Sequence, residues 1–457
     1  MSEHEVQAMS RAATGRSRFA VWTAGWRRLT LLSVGALLLA CGGGGGGGGG
    51  GGTAPTISDL IYSPLGTYLG SGSGTATVSG NMLFTDPDGD LASWTLTLLD
   101  ASGMQLQSTT TPIQGASGLT SGGLNAVAVV STATLGTYTF RIQVTDARGN
   151  RSGALSGTFR ITAPPWTTLT VPPAGRTGFA TATLGGRIYV LGGADSAPVI
   201  PPPPSSRVDI FDPATSTWSA GVPMPVPMQD FGAAVVGGRI VAIGGGLGTT
   251  QVQEFDPVGG GWTVRASPPA SRQSAGVAAA GGRVYWIGGD GGGFETAANA
   301  SFDPAGNQWR SEASMPTARR RLSAVSVDVP VAGGATAARV FALGGYGSTR
   351  IPDAGYFPTN EAFDPVANAW QTRATMPTPA AGVALAAFDG RILAFGGDNV
   401  ARSIDTVMRY DPVADAWAYR MPMPAPEAGA KAEVVGRRIY VFSATATYVY
   451  APDDEIW

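Results

Sequence analysis

Carboxylates and arginines carry most of the chemistry this chain can offer. Its only histidine is His4 and its only cysteine is Cys41. Once the first 41 residues are removed or acylated on export, as argued below, no Ser-His-Asp or Cys-His nucleophile can be assembled. A histidine-ligated zinc or copper site is excluded for the same reason. Two groupings remain. In Asp86-Pro87-Asp88-Gly89-Asp90, alternate carboxylates suit a hard cation. The glycine stands fourth in that string rather than sixth and no glutamate stands twelfth, so it is not an EF-hand loop. Two readings stay open: a calcium ion held by Asp86, Asp88 and Asp90, or a tight β-turn that uses Asp and Gly for their geometry.

The second grouping is a set of charges at equal counts. Arg176, Arg272 and Glu427 each stand 11 residues before an arginine (Arg187, Arg283 or Arg438) that opens an apolar run. Met228 and Ala380 stand at that count in two further copies. In the remaining copy an insertion at 332–338 breaks the count, and alignment of the following strand points to Arg320. Guanidinium forks pair with carboxylates and stack on flat groups. Phe294 and Tyr356 lie on long loops at the same end of the repeat. Together these residues read as a site for an anionic or polyhydroxylated ligand, such as an acidic glycan or a partner's acidic loop. The alternative is that the arginines bond neighbouring carbonyls and hold the repeat together.

What must position them is a repeated phrase. Ile188-Tyr189-Val190-Leu191-Gly192-Gly193 leads to Phe211-Asp212-Pro213 and Trp218. The glycine pair returns at 244–245, 288–289, 344–345 and 396–397, and the aromatic-Asp-Pro turn at Phe255, Phe302, Phe363 and Tyr410. The tryptophan returns at Trp262, Trp309, Trp370 and Trp417. A degenerate copy runs from Ile439 to Trp457, and successive tryptophans from Trp218 lie 44, 47, 61, 47 and 40 residues apart. Each unit offers four short β-rich runs, in the first copy near 179–184, 188–192, 207–211 and 217–220. Four antiparallel strands per repeat, stacked radially, make a propeller blade. The tryptophans are expected to pack between blades. The stretch from Trp166 to Pro173 looks like an outer strand, expected to complete the last repeat and leave no open sheet edge.

This spacing resembles the kelch repeat family over about residues 166–457. The resemblance implies an all-β fold with a six-bladed kelch β-propeller at 164–457, and says little about activity. Copper oxidases of the galactose oxidase type share such a propeller, but their radical site needs histidines and a Cys–Tyr crosslink that the mature chain cannot supply. A non-catalytic binding or adhesion module is the favoured reading. The alternative enzyme reading is a sugar mutarotase or epimerase similar to bacterial N-acetylneuraminate epimerases. It would be favoured by Glu427 or Asp230 facing an arginine across the channel mouth.

The chain carries a net charge of −2, and Lys431 is its only lysine. Nothing in that balance suggests a nucleic-acid surface. Residues 1–41 read as an export leader. Arg16, Arg18, Arg27 and Arg28 precede a 12-residue apolar run at 29–40, too short to span a bilayer. The run ends in Leu38-Leu39-Ala40-Cys41, which resembles the lipobox of bacterial lipoproteins. That resemblance implies lipidation of Cys41, a membrane partner, and export to the outer membrane facing the periplasm or cell surface. Residues 42–55, largely glycine, read as a flexible linker.

Residues 56–163 have a different texture, with Thr, Val and Leu runs between Gly, Ser and Asn turns. Strands are expected near 82–85, 93–99, 126–131, 138–144 and 157–161. About seven short strands in this length suggest an antiparallel β-sandwich. The run from Gly136 to Asn150 resembles the closing hairpin of bacterial immunoglobulin-like (Ig-like) domains. Beyond the calcium ion weighed above, no cofactor is expected.

Overall fold

A computed structural model of the chain describes residues 31–33, 38–39, 52–63, 66–68, 75–131, 134–169, 175–195, 202–246, 250–331, 333–348, 355–400 and 402–454. Cys41, the glycine tract up to residue 51, the prolines of 170–174 and Trp457 lie outside the described residues. The chain divides into two compact units, with the boundary between Ala163 and Pro164.

Two five-stranded sheets build the first unit. One runs Leu31–Ser33, Ser121–Ser131, Thr75–Thr85 and Thr56–Ser63, with Leu38–Leu39 also paired to Ser121–Ser131. The other runs Gly66–Tyr68, Leu155–Thr162, Gly136–Asp146, Leu91–Leu99 and Gln105–Pro112. Thr75–Thr85 alternates buried and exposed along most of its length, as a strand with one wet face should. Phe84, Trp94, Leu124, Val144 and Phe159 from both sheets share one core. Each strand expected from the sequence falls inside an observed one. Gln105–Pro112 went unseen because it buries neither face and so carries no apolar alternation.

The second unit contains six four-stranded antiparallel sheets. The first is Ala180–Leu184, Arg187–Leu191, Val208–Asp212 and Thr217–Ala220. The next four repeat this order at Phe231–Val264, Gly276–Glu312, Ser323–Arg373 and Ala384–Arg420. In the sixth, Lys431–Val435, Arg438–Phe442 and Thr447–Tyr450 are completed by Trp166–Leu169 from the other end of the unit. Trp166 sits opposite Tyr450, so the run that begins at Trp166 completes the last repeat, as the sequence led one to expect. Each innermost strand lies beside that of the next sheet, and Lys431–Val435 lies beside Ala180–Leu184, so the ring is closed. The second strands are sandwiched between neighbours and buried on both faces. This is why they read as unbroken apolar runs, such as Arg239–Gly244 with five buried residues.

The glycine pairs stitch sheet to sheet. The amide of the second glycine donates to a carbonyl of the next sheet: Gly193 to Met228 at 2.8 Å, Gly289 to Arg319 at 2.8 Å, Gly345 to Ala380 at 2.9 Å and Gly397 to Glu427 at 2.7 Å. A Cβ on Gly192 would stand 2.5 Å from the Met228 carbonyl oxygen, so no side chain fits there. The tryptophans make a second set of ties. Trp262, Trp309, Trp370 and Trp417 donate their indole N–H to Val222, Ala266, Ala313 and Ala374, each just past the outer strand of the preceding sheet. Trp166 makes the same bond to Met421 and so takes the sixth place. The Asp of each aromatic-Asp-Pro turn accepts a backbone amide two residues on, as in Asp212 to Ala214 and Asp256 to Val258, both at 2.9 Å.

Candidate functional site

The count of 11 residues leads to buried positions rather than to a ligand face. Arg176 is 2% exposed and ion-paired to Asp209 at 2.5 Å, and it also donates to the carbonyls of Gly192 and Arg207. Arg272 is 5% exposed and donates to the carbonyls of Gly288 and Ala298. It has no carboxylate partner among the described residues. Its guanidinium instead lies 3.8 Å from the centre of the Trp286 ring, and burial pushes it down to about 10. These side chains close the ends of their own sheets by satisfying carbonyls that the strands leave open.

In the fourth sheet the equivalent residue is Arg319, one position before the expected Arg320. Arg319 is fully buried, pairs with Glu361 at 2.7 Å and donates to the Gly344 carbonyl at 2.9 Å. Its backbone carbonyl, not that of Arg320, receives Gly289. The insertion at 332–338 lengthens the hairpin of Ser323–Pro330 and Thr336–Leu343, which hides the register from a simple count.

Arg320 points elsewhere. It bonds Asp290 at 2.7 Å and lies 5.2 Å from the centre of Tyr346. Tyr346 meets Tyr356 edge-on at 5.4 Å, and the Tyr356 hydroxyl donates to Asp398 at 2.9 Å. Asp398 in turn holds Arg321 at 2.6 Å and 3.0 Å. Arg320 and Tyr356 therefore belong to one polar arc across the third, fourth and fifth sheets. Phe294 is 74% exposed on the loop that starts at Asp290. Glu427 faces no arginine among the described residues: it accepts from Tyr448 at 3.0 Å, and burial with that contact pushes the phenol up to about 12.

Two residues beyond the buried position lies a feature the count passed over. Gly178, Asp230, Ser274, Arg321, Gly382 and Gly429 all adopt positive φ, between 52° and 68°. Their backbones link head to tail: Asp230 to Gly178 at 2.8 Å, Ser274 to Asp230 at 3.2 Å, Arg321 to Ser274 at 2.7 Å, Gly382 to Arg321 at 2.9 Å and Gly429 to Gly382 at 3.2 Å. This ring circles the entrance to the inner strands. Three adjacent members are not glycine, although left-handed backbone costs an L-residue about 1–2 kcal/mol. The signal was present in the sequence, as a repeat position filled by glycine in three copies and by Asp, Ser and Arg in the others.

Inside the ring is a cavity of about 240 Å³ lined by Asp230, Ser274, Arg321 and Lys431 among others. A second, of about 130 Å³, adjoins it between the inner strands and reaches Glu433. Asp230 is open to water at the mouth yet ringed by protein. Burial raises its carboxyl above the usual range, opposed by Lys431 and Arg321. Lys431 is lowered by burial, opposed by Asp230. Glu433 is raised by burial, opposed by bonds from Thr183 at 2.7 Å and Thr181 at 2.8 Å, which cross from the sixth sheet to the first. The cavity thus gathers an acid, a hydroxyl, an amine and a guanidinium already held by Asp398 within one small volume.

In the first unit the acidic string is divided. Asp88, Asp90 and Asp146 bring carboxylate oxygens within 4.8 Å of one another, and Asp86 is not among them. Asp86 is fully buried, with its carboxyl raised by burial. Asp146, which the sequence did not single out, accepts the amides of Arg148 and Asn150. The Arg148 guanidinium already bonds Asp88 at 3.0 Å and stands 3.7 Å from Asp90. A hard cation would have to displace it.

Residues 175–225 and 379–424 match the Kelch motif. A 92-residue stretch is 36% identical to the "Kelch-like protein terF" of Aspergillus terreus (strain NIH 2624 / FGSC A1156), covering 20% of this chain and 20% of that protein. The chain therefore spans about a fifth of that curated relative's length. Among solved structures, the one titled "Structure of YjhT" is similar over 62% of this chain and 95% of its own, with 13% identity and a TM-score of 0.49. The motif matches and the kelch-like relative support a kelch-repeat β-propeller.

Proposed function

We propose that the second unit is a six-bladed kelch propeller serving as a binding module, with the channel mouth at Asp230, Ser274, Arg321 and Lys431 as its ligand face. One observation carries this: three adjacent non-glycine residues hold left-handed backbone in a ring that glycine completes elsewhere. Strain kept at a cavity mouth points to function, because glycine would serve the ring equally well. Glycine cannot supply a carboxylate, a hydroxyl and a guanidinium. Mixed donors and acceptors around about 240 Å³ suit a small anionic or polyhydroxylated ligand, such as the terminal residue of an acidic glycan. Binding wild type to an array of acidic and neutral glycans tests this. Acidic glycans should be retained by wild type and lost with Arg321→Gly; equal binding by both would defeat the proposal.

The remaining parts fit an exported, surface-presented role. The first unit, which would lose the edge pairings of Leu31–Ser33 and Leu38–Leu39 with the leader, serves as an Ig-like sandwich spacer, and Cys41, lipidated after export, anchors the chain in the outer membrane through the 42–55 linker. A Cys41→Ser protein should leave the membrane fraction. Calcium would bind at Asp88, Asp90 and Asp146 in competition with Arg148, and would then raise the melting temperature in calcium over that in chelator.

A second reading, a sugar mutarotase or epimerase, is favoured by the raised Asp230 carboxyl sharing a cavity with Arg321 and the lowered Lys431 amine. An acid and a base displaced toward neutrality are what ring opening requires. Freshly dissolved single anomers followed by proton NMR would equilibrate faster with wild type than with Asp230→Asn. Identical rates would remove this reading and leave the binding module standing.

A further inference from the structure

The channel contains one residue that the ring does not need. Lys431, the only lysine in the chain, lines both cavities. It opens the inner strand of the sixth sheet and pairs with Phe442. The same pairing places Ala180, Gly232, Gly276, Ser323 and Ala384 at this position in the other five sheets. Neighbouring inner strands come close here: a Cβ on Gly232 would stand 2.5 Å from Val277, and one on Gly276 2.9 Å from Ala324. Small residues suit that approach, and lysine is the least expected substitute. Among the described residues its ammonium makes neither a hydrogen bond nor an ion pair. Asp230 and Arg321 act on it only through space. Glu433, two residues along the same strand, is committed to Thr181 and Thr183.

We infer that Lys431 is a nucleophilic amine that captures small carbonyl compounds, aldehydes or α-keto acids, entering the channel, and holds them as an imine. The amine lone pair attacks the carbonyl carbon, and the carbonyl oxygen gains the proton that nitrogen loses, giving a carbinolamine. Protonation of the new hydroxyl by the Asp230 carboxyl lets it leave as water. The nitrogen lone pair then closes the C=N bond, leaving a protonated imine beside the Asp230 carboxylate. No electrons are gained or lost. Burial favours the neutral amine that attacks and the protonated carboxyl that donates. The inference is independent of glycan recognition, since either could hold without the other.

The chain itself makes the test clean, because a lysine adduct can have only one address. Mature protein is incubated at neutral pH with pyruvate or glyceraldehyde and cyanoborohydride, which reduces an imine to a stable secondary amine. Peptide mass mapping then locates the product. The expected result is a single adduct on Lys431 in the folded protein, strongly diminished when the chain is unfolded in urea and absent in Lys431→Arg. The unfolded wild type keeps the test meaningful even if the variant folds poorly. An adduct confined to the α-amine, or equal labelling of Lys431 folded and unfolded, would overturn the inference.

Discussion

At the scale of residues, the buried arginines and the mouth residues obey different rules. Arg319 is fully buried against Glu361 and lowered to about 10 by desolvation, so removing one partner strands the other. Arg319→Ala should cost about 3–5 kcal/mol, read from denaturant melts. The second sheet fills the same two places with Met228 and Gln253, both buried. Arg319→Met combined with Glu361→Gln should therefore recover much of the loss. Glu433 supplies a pH signature. Its folded value is raised above the ordinary 4.5, so between those two values the folded chain holds a proton that the unfolded chain has released. Stability at this site should rise as pH falls through that window, and Glu433→Gln should flatten the slope in pH-resolved melts. The sequence placed Asp230 at the channel mouth, but the count of 11 led two residues short of the other mouth positions. Charge drew attention to Arg176 and Arg272, while the informative pattern was a glycine position with exceptions at Asp230, Ser274 and Arg321.

At the scale of elements, Trp166–Leu169 carries more than its length suggests. It is the outermost strand of a sheet whose other strands come from the opposite end of the unit, and its Trp166 ring packs 4.7 Å from Tyr450 and 5.8 Å from Phe395. Trp166→Ala should cost about 3 kcal/mol, the low end for a large aromatic that is only partly buried. An unchanged melting temperature would mean that the closure contributes little. This latch was legible because Trp166 opens a strand-like run ahead of the first full copy, with no glycine pair or aromatic-Asp-Pro turn of its own. Gln105–Pro112, by contrast, left no trace in the sequence, since polar edge strands follow no apolar period.

At the scale of the whole molecule, the ring of sheets is held by glycine-pair amides, indole ties and buried arginines, none of which lines the cavity they surround. Under the proposed function, Asp230, Ser274 and Arg321 are kept for the ligand and not for the fold. The triple change Asp230→Gly, Ser274→Gly and Arg321→Gly tests it most directly, with thermal melting and glycan-array binding measured on the same preparation. Glycine already serves at the three other ring positions, so the variant should melt at or above the wild-type temperature while its binding to acidic glycans disappears. A variant that melts well below wild type, or that still binds as wild type does, would contradict the account.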